Sequence, residues 1–532
     1  MKTALLKLQV CIISKNVVSV IVFIVLFLVF VIYAGILPKE ENYSLVLSNL
    51  SYLEVAIFVI CFEKSVFFSI KKATLETCCL VDVQQTRLSR LLALLFSNSI
   101  YILLAALYTI IMAVLQGVGF LFWLETLVYI SIVWLGVIIL STVFGYFSGI
   151  YVKNYIAFIL VIPFVILFSF LNKYFFSIFS PLINDAELDA LCSVFSCQSV
   201  LNNGIQVNYA SPRLDLFSIV KFICTILLAL MIMSVAFVID GRKLNIKSIA
   251  IVLIFAVLYS FSVSSYIYYS PLQYNPNNKI FSYTSSSTQS ASIEEISGQI
   301  DLGERIDAEI SIQLKINDKI SPIVLKLDEQ FNLNSIKHNN SIINYTRAGD
   351  YLIIQNPQTS DATYTLEYDG RIYYQSADSI NLYSSITSTS LPPYFAFVPI
   401  IEGDFALKSY DLLIYSNNYN IVSNLECDKL KSSTYHVFGV DNVICIFGGF
   451  LNEIEIDGTI FYRPSYSNKD YDAMFQRALS YRYFDSSTMT LSDDDLKEIA
   501  KGKKKIFQIY FNYDTGMFPV SYDNFIIIHS GG

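Results

Sequence analysis

Hydrophobic positions along this chain follow two different rules, and the change falls near residue 270. Before it, apolar runs of about 20 residues alternate with short polar breaks, and each run is long enough to cross a hydrocarbon core ~30 Å thick. Seven spans are predicted at 17–37, 44–62, 91–115, 121–149, 154–172, 215–239 and 248–268. Residues 1–16, with lysines spaced among apolar positions, predict a short interfacial helix on the inner membrane surface. The first span has the form of a signal peptide, but six more follow, so it is expected to stay as an anchor.

After about residue 290 the apolar period shortens to two. In "RIDAEISIQLKI", Ile306, Ala308, Ile310, Ile312, Leu314 and Ile316 alternate with polar residues, the mark of a half-buried strand. "YLIIQN", "TYTLEYDG" and "DLLIYSNN" read similarly, separated by Asn, Asp and Gly turns. The Pro, Asn and Ser-rich stretch 271–292 reads as a linker. The predicted fold is an α-helical polytopic membrane domain over 17–270, with about seven transmembrane helices, followed by a mainly β, sandwich or saddle-like domain over 293–532.

Charge divides at the same boundary. Residues 1–270 carry 16 Lys+Arg against 12 Asp+Glu, net +4, and residues 271–532 carry 20 against 32, net −12. An acidic soluble half without a basic stripe excludes nucleic acid as a partner. With the N-terminus inside, Lys64, Lys71, Lys72, Arg87, Arg90, Lys153, Arg242, Lys243 and Lys247 fall on cytoplasmic loops, and acidic residues dominate the opposite side. By the positive-inside rule this predicts a multi-pass cell-membrane protein with a cytoplasmic N-terminus and an extracytoplasmic C-terminal half. Four cysteines would then be external, in two local pairs, Cys192 with Cys197 and Cys427 with Cys445. An even count in an oxidising space predicts two disulfides, against the alternative of four buried free thiols.

The polar stretch 64–90, ending "LETCCLVDVQQTRLSR", is too polar to cross the membrane and too long for a tight turn, so it is expected to form a helix on the inner face. Its position directly after the second span, together with a long loop at 173–214 that carries "NDAELDALCSVFSC", resembles the membrane subunit of an ABC exporter of the second export class. That resemblance implies a coupling helix which docks on a separate ATPase subunit. Glu63 and Lys64 match the charged pair after the span, and Gln85, Arg87, Ser89 and Arg90 match the stretch leading into the third span. Val83 and Leu88 would contribute to the apolar docking face. The bland alternative makes Arg87 and Arg90 simple headgroup anchors. Glu54, Glu125 and Lys221 are candidates for lining a substrate path, and Glu54 could equally snorkel to a surface.

The second half resembles the N-terminal β domain of zinc aminopeptidases of the aminopeptidase N family. The resemblance runs through Leu325 and Leu327, "TYTLEYDG" ending at Gly370, "LLIYSNNYNIVSN" ending at Asn424, "FGGFLNEIEIDGTIFY", "DYDAMFQRALSYRYF", and "MFPVSYDNFIIIHS" around Pro519. The chemistry does not follow. A zinc peptidase holds its metal with two histidines at i and i+4 flanking a glutamate. Here His338, His436 and His529 are the only histidines and lie far apart, so no metal site and no hydrolase is expected. No phosphate-binding GxxxxGK[ST] loop occurs either, and "KGKKKI" from residue 501 reads as a solvated turn.

The expectation is therefore a non-enzymatic permease subunit with no cofactor of its own. ATP and Mg would be held by partner ABC ATPase subunits, and a second permease chain, identical or related, would complete the pathway in membrane lipid. The cargo would be a peptide, bacteriocin or other amphipathic or lipid-linked compound, received or shielded by the external domain. The alternative is a membrane-anchored binding or sensing protein, or an antimicrobial-peptide immunity protein.

Overall fold

A computed structural model describes, besides scattered single positions, residues 43–70, 83–115, 118–152, 154–168, 216–240, 246–269, 272–273, 291–318, 321–355, 361–376, 379–418, 420–456, 458–465, 504–509 and 520–529. The chain forms two compact units. One comprises Met1–Ile205 with Pro212–Ser270, and the other Pro271–Gly532 with Gln206–Ser211.

The first unit is helical. Its described helices are α1 (Tyr43–Ile70), α2 (Val83–Asn98), α3 (Ile100–Leu115), α4 (Phe120–Tyr151), α5 (Asn154–Ile159), α6 (Val161–Phe168), α7 (Leu216–Asp240) and α8 (Ile246–Tyr269). Among the described residues, four stretches are long and apolar enough to cross a membrane: Arg87–Leu115, Phe120–Tyr151, Ser218–Ala236 and Ile249–Tyr268. The interfacial helix expected at 1–16, the span expected at 17–37 and the external loop 173–214 lie outside the described residues, apart from isolated positions.

Local chemistry explains the breaks. Ser99 separates α2 from α3, and its hydroxyl donates back to Leu95 O at 3.0 Å, a bond that competes with the helix ladder. Pro163 supplies no N–H to the ladder, and its ring would press on the carbonyl of Ile159, where α5 ends before α6 begins. α1 and α4 approach closely at two glycines. A Cβ on Gly145 would lie 2.3 Å from Phe62 O, and one on Gly149 would lie 1.8 Å from Ser69 Oγ. The resulting core joins Phe58, Phe62 and Val66 of α1 to Leu91 and Leu94 of α2 and Leu140, Val143 and Tyr146 of α4. α8 shows the opposite character, with Leu253, Ile254, Val257 and Phe261 all exposed.

The second unit is β-rich. Its largest sheet has eight strands, spatially ordered Glu426–Lys431, Thr434–Asp441, Lys408–Ser416, Ala291–Leu302, Ile306–Ile316, Asp361–Gly370, Phe331–His338 and Ser341–Ile342. The strand Ile306–Ile316 alternates buried with exposed positions along its length, in the register its sequence predicts. Neighbours pair antiparallel except Lys408–Ser416, which runs parallel to Ala291–Leu302 from Ser409↔Glu295 to Ser416↔Leu302. Among the described residues, smaller sheets of six, five and three strands accompany it. The main core is shared by the eight-, six- and three-stranded sheets, with Ile310, Ile312 and Leu366 meeting Leu325, Leu352, Leu382 and Ile446. A second core, with Phe447, Tyr462, Phe507 and Phe525, lies between the six- and five-stranded sheets.

Two expectations are corrected here. Cys427 and Cys445 are free thiols and do not form a disulfide. Cys427 sits on an edge strand of the eight-stranded sheet with its thiol toward Ile421 O, whereas Cys445 is fully buried just before a strand of the six-stranded sheet, its N–H bonded to Asn424 Oδ1. Cys192 is buried, and Cys197, with which it was expected to pair, lies outside the described residues. The second correction concerns "KGKKKI". Lys505 begins the strand Lys505–Ile509 and is buried, its ammonium donating to the carbonyls of Ser423 and Leu425. Those carbonyls take the place of the water a lysine requires.

Candidate functional site

Burying an ionisable group is costly unless polar or charged partners satisfy it, and such a group is a candidate functional position. Lys64 is such a group. It lies within α1, which continues to Ile70, and its side chain is fully buried. Its Nζ donates to Ser97 O at 3.2 Å and Ser97 Oγ at 2.9 Å, and stands 5.1 Å from the centre of the Tyr101 ring. α2 supplies the hydroxyl and carbonyl, and α3 the aromatic face.

The polar seam continues beside it. Asn98 Nδ2 donates to Thr142 Oγ1 of α4 at 2.8 Å, and both side chains are buried. Asn98 Oδ1 is buried with no hydrogen-bond partner among the described residues. Lower on the same helices, Tyr146 OH of α4 donates to Arg87 O of α2 at 3.3 Å. α2 is thus bonded to α4 near both of its ends, and to α1 through Lys64 at its C-terminal end.

The stretch 64–90 is divided in this structure. Its first residues extend α1, 71–82 lie outside the described residues, and Val83 opens α2. Glu63 is half-buried on α1 beside the buried Lys64; Arg90 is buried, Arg87 and Ser89 are half-buried, and Leu88 is 42% exposed. Val83 and Gln85 are helical, with side chains outside the description. Glu54 is buried on α1, Glu125 is half-buried on α4, and Lys221 on α7 lies 5.8 Å from the Tyr266 ring of α8. Ser97, Asn98, Tyr101 and Thr142 were not singled out by sequence. Asn98 and Thr142 each interrupt an apolar run, which is the signal that could have found them.

The β unit holds its charges differently. Lys408 and Asp404, each 2% exposed, are 3.6 Å apart, and Lys408 Nζ also donates to Asp404 O, Ala406 O and Asn442 O. Burial pulls Lys408 below the ordinary lysine range, and the carboxylates of Asp404 and Asp441 resist that pull. Lys505 is depressed for the same first reason. The bond of Lys408 to Asn442 O and those of Lys505 to Ser423 O and Leu425 O tie one strand connection to another, so these groups position sheets. His338 Nδ1 lies 3.1 Å from Thr363 O and His436 Nε2 lies 2.7 Å from Asp411 Oδ1. Among the described residues no three His, Cys, Asp or Glu side chains gather as metal ligands would.

No protein-family model matches this chain, and no curated protein matches it. Solved structures that match include yeast LTA4 hydrolase, at 11% identity over 48% of this chain and 44% of that one, with a TM-score of 0.30. An M1 zinc metallopeptidase from Deinococcus radiodurans matches at 7% identity over 46% and 62%, with a TM-score of 0.31. Legionella pneumophila aminopeptidase A matches at 14% identity over 46% and 32%, with a TM-score of 0.32. The chain spans less than two thirds of each of these proteins. Scores of this size assign neither a fold nor an activity to it.

Proposed function

We propose that this chain is the permease subunit of an ATP-driven exporter of the second ABC export class. Separate ATPase subunits bind ATP and Mg, and a second permease chain, identical or related, completes the pathway. The chain crosses the membrane seven times with its N-terminus in the cytoplasm. Its cargo is a peptide or another amphipathic or lipid-linked compound, and the β unit receives or shields that cargo on the outer side.

The observation that carries the reading is the bonding of α2 to its neighbours. An exporter must pass the closing motion of its ATPases to the membrane helices. Here the segment from Arg87 to Asn98 is joined to α4 through Tyr146 and Thr142, and to α1 through Lys64. A displacement of the cytoplasmic end of α2 therefore moves α1 and α4 with it, because a bonded, close-packed core shifts between discrete arrangements and does not stretch. Leu88 and Leu92, one turn apart and 42% and 46% exposed, leave an apolar surface beside that end.

Changing Val83 and Leu88 together to Asp tests this. Docking contacts of this size are worth about 1–3 kcal/mol each, so the doubly substituted protein should insert normally and lose its ATPase subunit or its cargo-stimulated turnover. Binding and transport at the original rate would leave the segment a headgroup anchor and remove the main support for the reading.

A further inference from the structure

The loop from Ile400 to Lys408 is tied to the β unit at every second residue. Ile400 and Lys326 exchange backbone bonds at 2.7 and 3.0 Å. Glu402 accepts from Tyr351 OH at 2.6 Å and stands 3.4 Å from Lys326 Nζ. Asp404 is buried, its carboxylate accepting from Ile293 N at 3.0 Å and from Ala406 N at 3.2 Å. Lys408 closes the loop from its other end, donating to Asp404 O and Ala406 O, both at 2.9 Å. Gly403, at φ 79°, makes a turn that a β-carbon would resist.

The residues in between point outward. Phe405 is 82% exposed and Leu407 is 64% exposed. A single exposed leucine is ordinary, but these two side chains stand on a loop whose backbone is bonded inward on both sides of each. The fold thus holds two large apolar groups in water at fixed positions, a cost that contact with an apolar phase would recover.

Size and charge identify that phase. A stable protein interface takes about 800 Å² from each partner, far more than two side chains with Ala406 between them offer. A bilayer accepts apolar groups without any matching shape. The charges beside the tip are cancelled in pairs, Glu402 by Lys326 and Asp404 by Lys408, so the tip carries no unpaired charge in a half-chain of net charge −12. Covalent reach is sufficient as well. Asp404 is bonded to Ile293 in the first long strand described after α8, and the residues from Tyr269 to Ala291 span at most about 75 Å. We propose that Phe405 and Leu407 insert into the surface of the lipid bilayer as a paired anchor of the β unit. The anchor rests on the helical unit spanning a membrane, and on nothing that concerns ATP or cargo.

The test uses the full chain in nanodiscs of zwitterionic lipid, one chain per disc, with an environment-sensitive fluorescent amino acid at Phe405, Ile342 or Leu253 and with lipids that carry a doxyl quencher. Ile342 is comparably exposed but lies on the edge strand Ser341–Ile342, remote from Lys408–Ser416 in the eight-stranded sheet, and Leu253 is exposed on α8. The Phe405 probe should be quenched by a shallow label, the Leu253 probe by a deep one, and the Ile342 probe by neither. Leu407→Asp should lower the equilibrium constant for insertion read at Phe405 about tenfold, with the melting temperature of the protein unchanged. Quenching at Leu253 without quenching at Phe405 would overturn the anchor and leave the membrane reading standing, whereas quenching at neither would overturn both. A Phe405 probe shielded from water yet not quenched would mean that protein covers the tip. Equal quenching at Ile342, or indifference to Leu407→Asp, would mean that the unit has no dedicated tip, and each of these three results would overturn the proposal.

Discussion

Lys64 allows stability and function to be separated. Removing the whole charge differs from removing one of its partners. In Lys64→Met the ammonium goes, and with it two charge-assisted hydrogen bonds and a cation–π contact with Tyr101. Each such bond is worth about 1.5–3 kcal/mol and a desolvated cation–π contact about 2 kcal/mol. Against these stands the cost of stripping a lysine of water, several kcal/mol for a buried ion. The two sides are of similar size, and replacing a buried charge by an apolar side chain of similar volume is often near neutral, so Lys64→Met should change stability by about 2 kcal/mol or less. In Ser97→Ala the charge stays and loses its hydroxyl acceptor at 2.9 Å, leaving one carbonyl. The full cost of an under-satisfied buried ion then falls on the protein, about 2–3 kcal/mol. The double variant should recover most of that loss. Unfolding of the purified full chain in mixed micelles, followed by circular dichroism, measures all three. A Lys64→Met protein less stable than Ser97→Ala, or a double variant with additive losses, would refute the account of Lys64 as a buried cation whose partners exist to satisfy it.

Gly145→Val should destabilise the helical unit more than Gly119→Val, because its Cβ meets the Phe62 carbonyl at 2.3 Å whereas Gly119 has nothing within 4 Å, and overpacking of this kind costs about 1–3 kcal/mol; equal melting temperatures would refute the α1–α4 contact. Burial raises the Cys427 thiol to about 11 and the Cys445 thiol further, so at pH 8 Cys427 should react with iodoacetamide about a hundredfold more slowly than an ordinary thiol. Both should be alkylated in denaturant without reductant, and a need for reductant would restore the disulfide. Burial also holds Tyr368 and Tyr374 well above the usual tyrosine value of 10.0, the latter with help from Asp328. Their contribution is complete below pH 10 and is lost as pH rises, by about 1.4 kcal/mol per unit for each while it stays protonated. Phenolate absorbance should therefore show a late, cooperative fraction that diminishes in Tyr374→Phe, and a single smooth titration near pH 10 would refute this.

What sequence made legible was whatever rests on local period. Ile306–Ile316 declares its strand and its buried face because alternation is a property of neighbours. The apolar stretches of α4, α7 and α8 declare themselves by length. Partners remote in sequence leave no such trace. The parallel pairing of Ser409–Ser416 with Glu295–Leu302 depends on two strands more than a hundred residues apart, either of which would suit another neighbour. Lys505 looks solvated because its own segment is basic, and the carbonyls that bury it belong to Ser423 and Leu425. Lys64 looks like a loop cation for the same reason, since Ser97 and Tyr101 are what let α1 continue past it. An even number of cysteines fixes no geometry: Cys427 lies on an edge strand of one sheet and Cys445 just before a strand of another.

The most direct test of the permease account is affinity purification of the tagged full chain from its native membranes in mild detergent, with partners identified by mass spectrometry and ATP turnover measured on the eluate. The account predicts a stoichiometric ABC ATPase subunit and vanadate-sensitive hydrolysis stimulated by an amphipathic peptide, both lost when Val83 and Leu88 are changed to Asp. A sensor kinase in its place, or a chain that elutes without any nucleotide-hydrolysing partner, would contradict it.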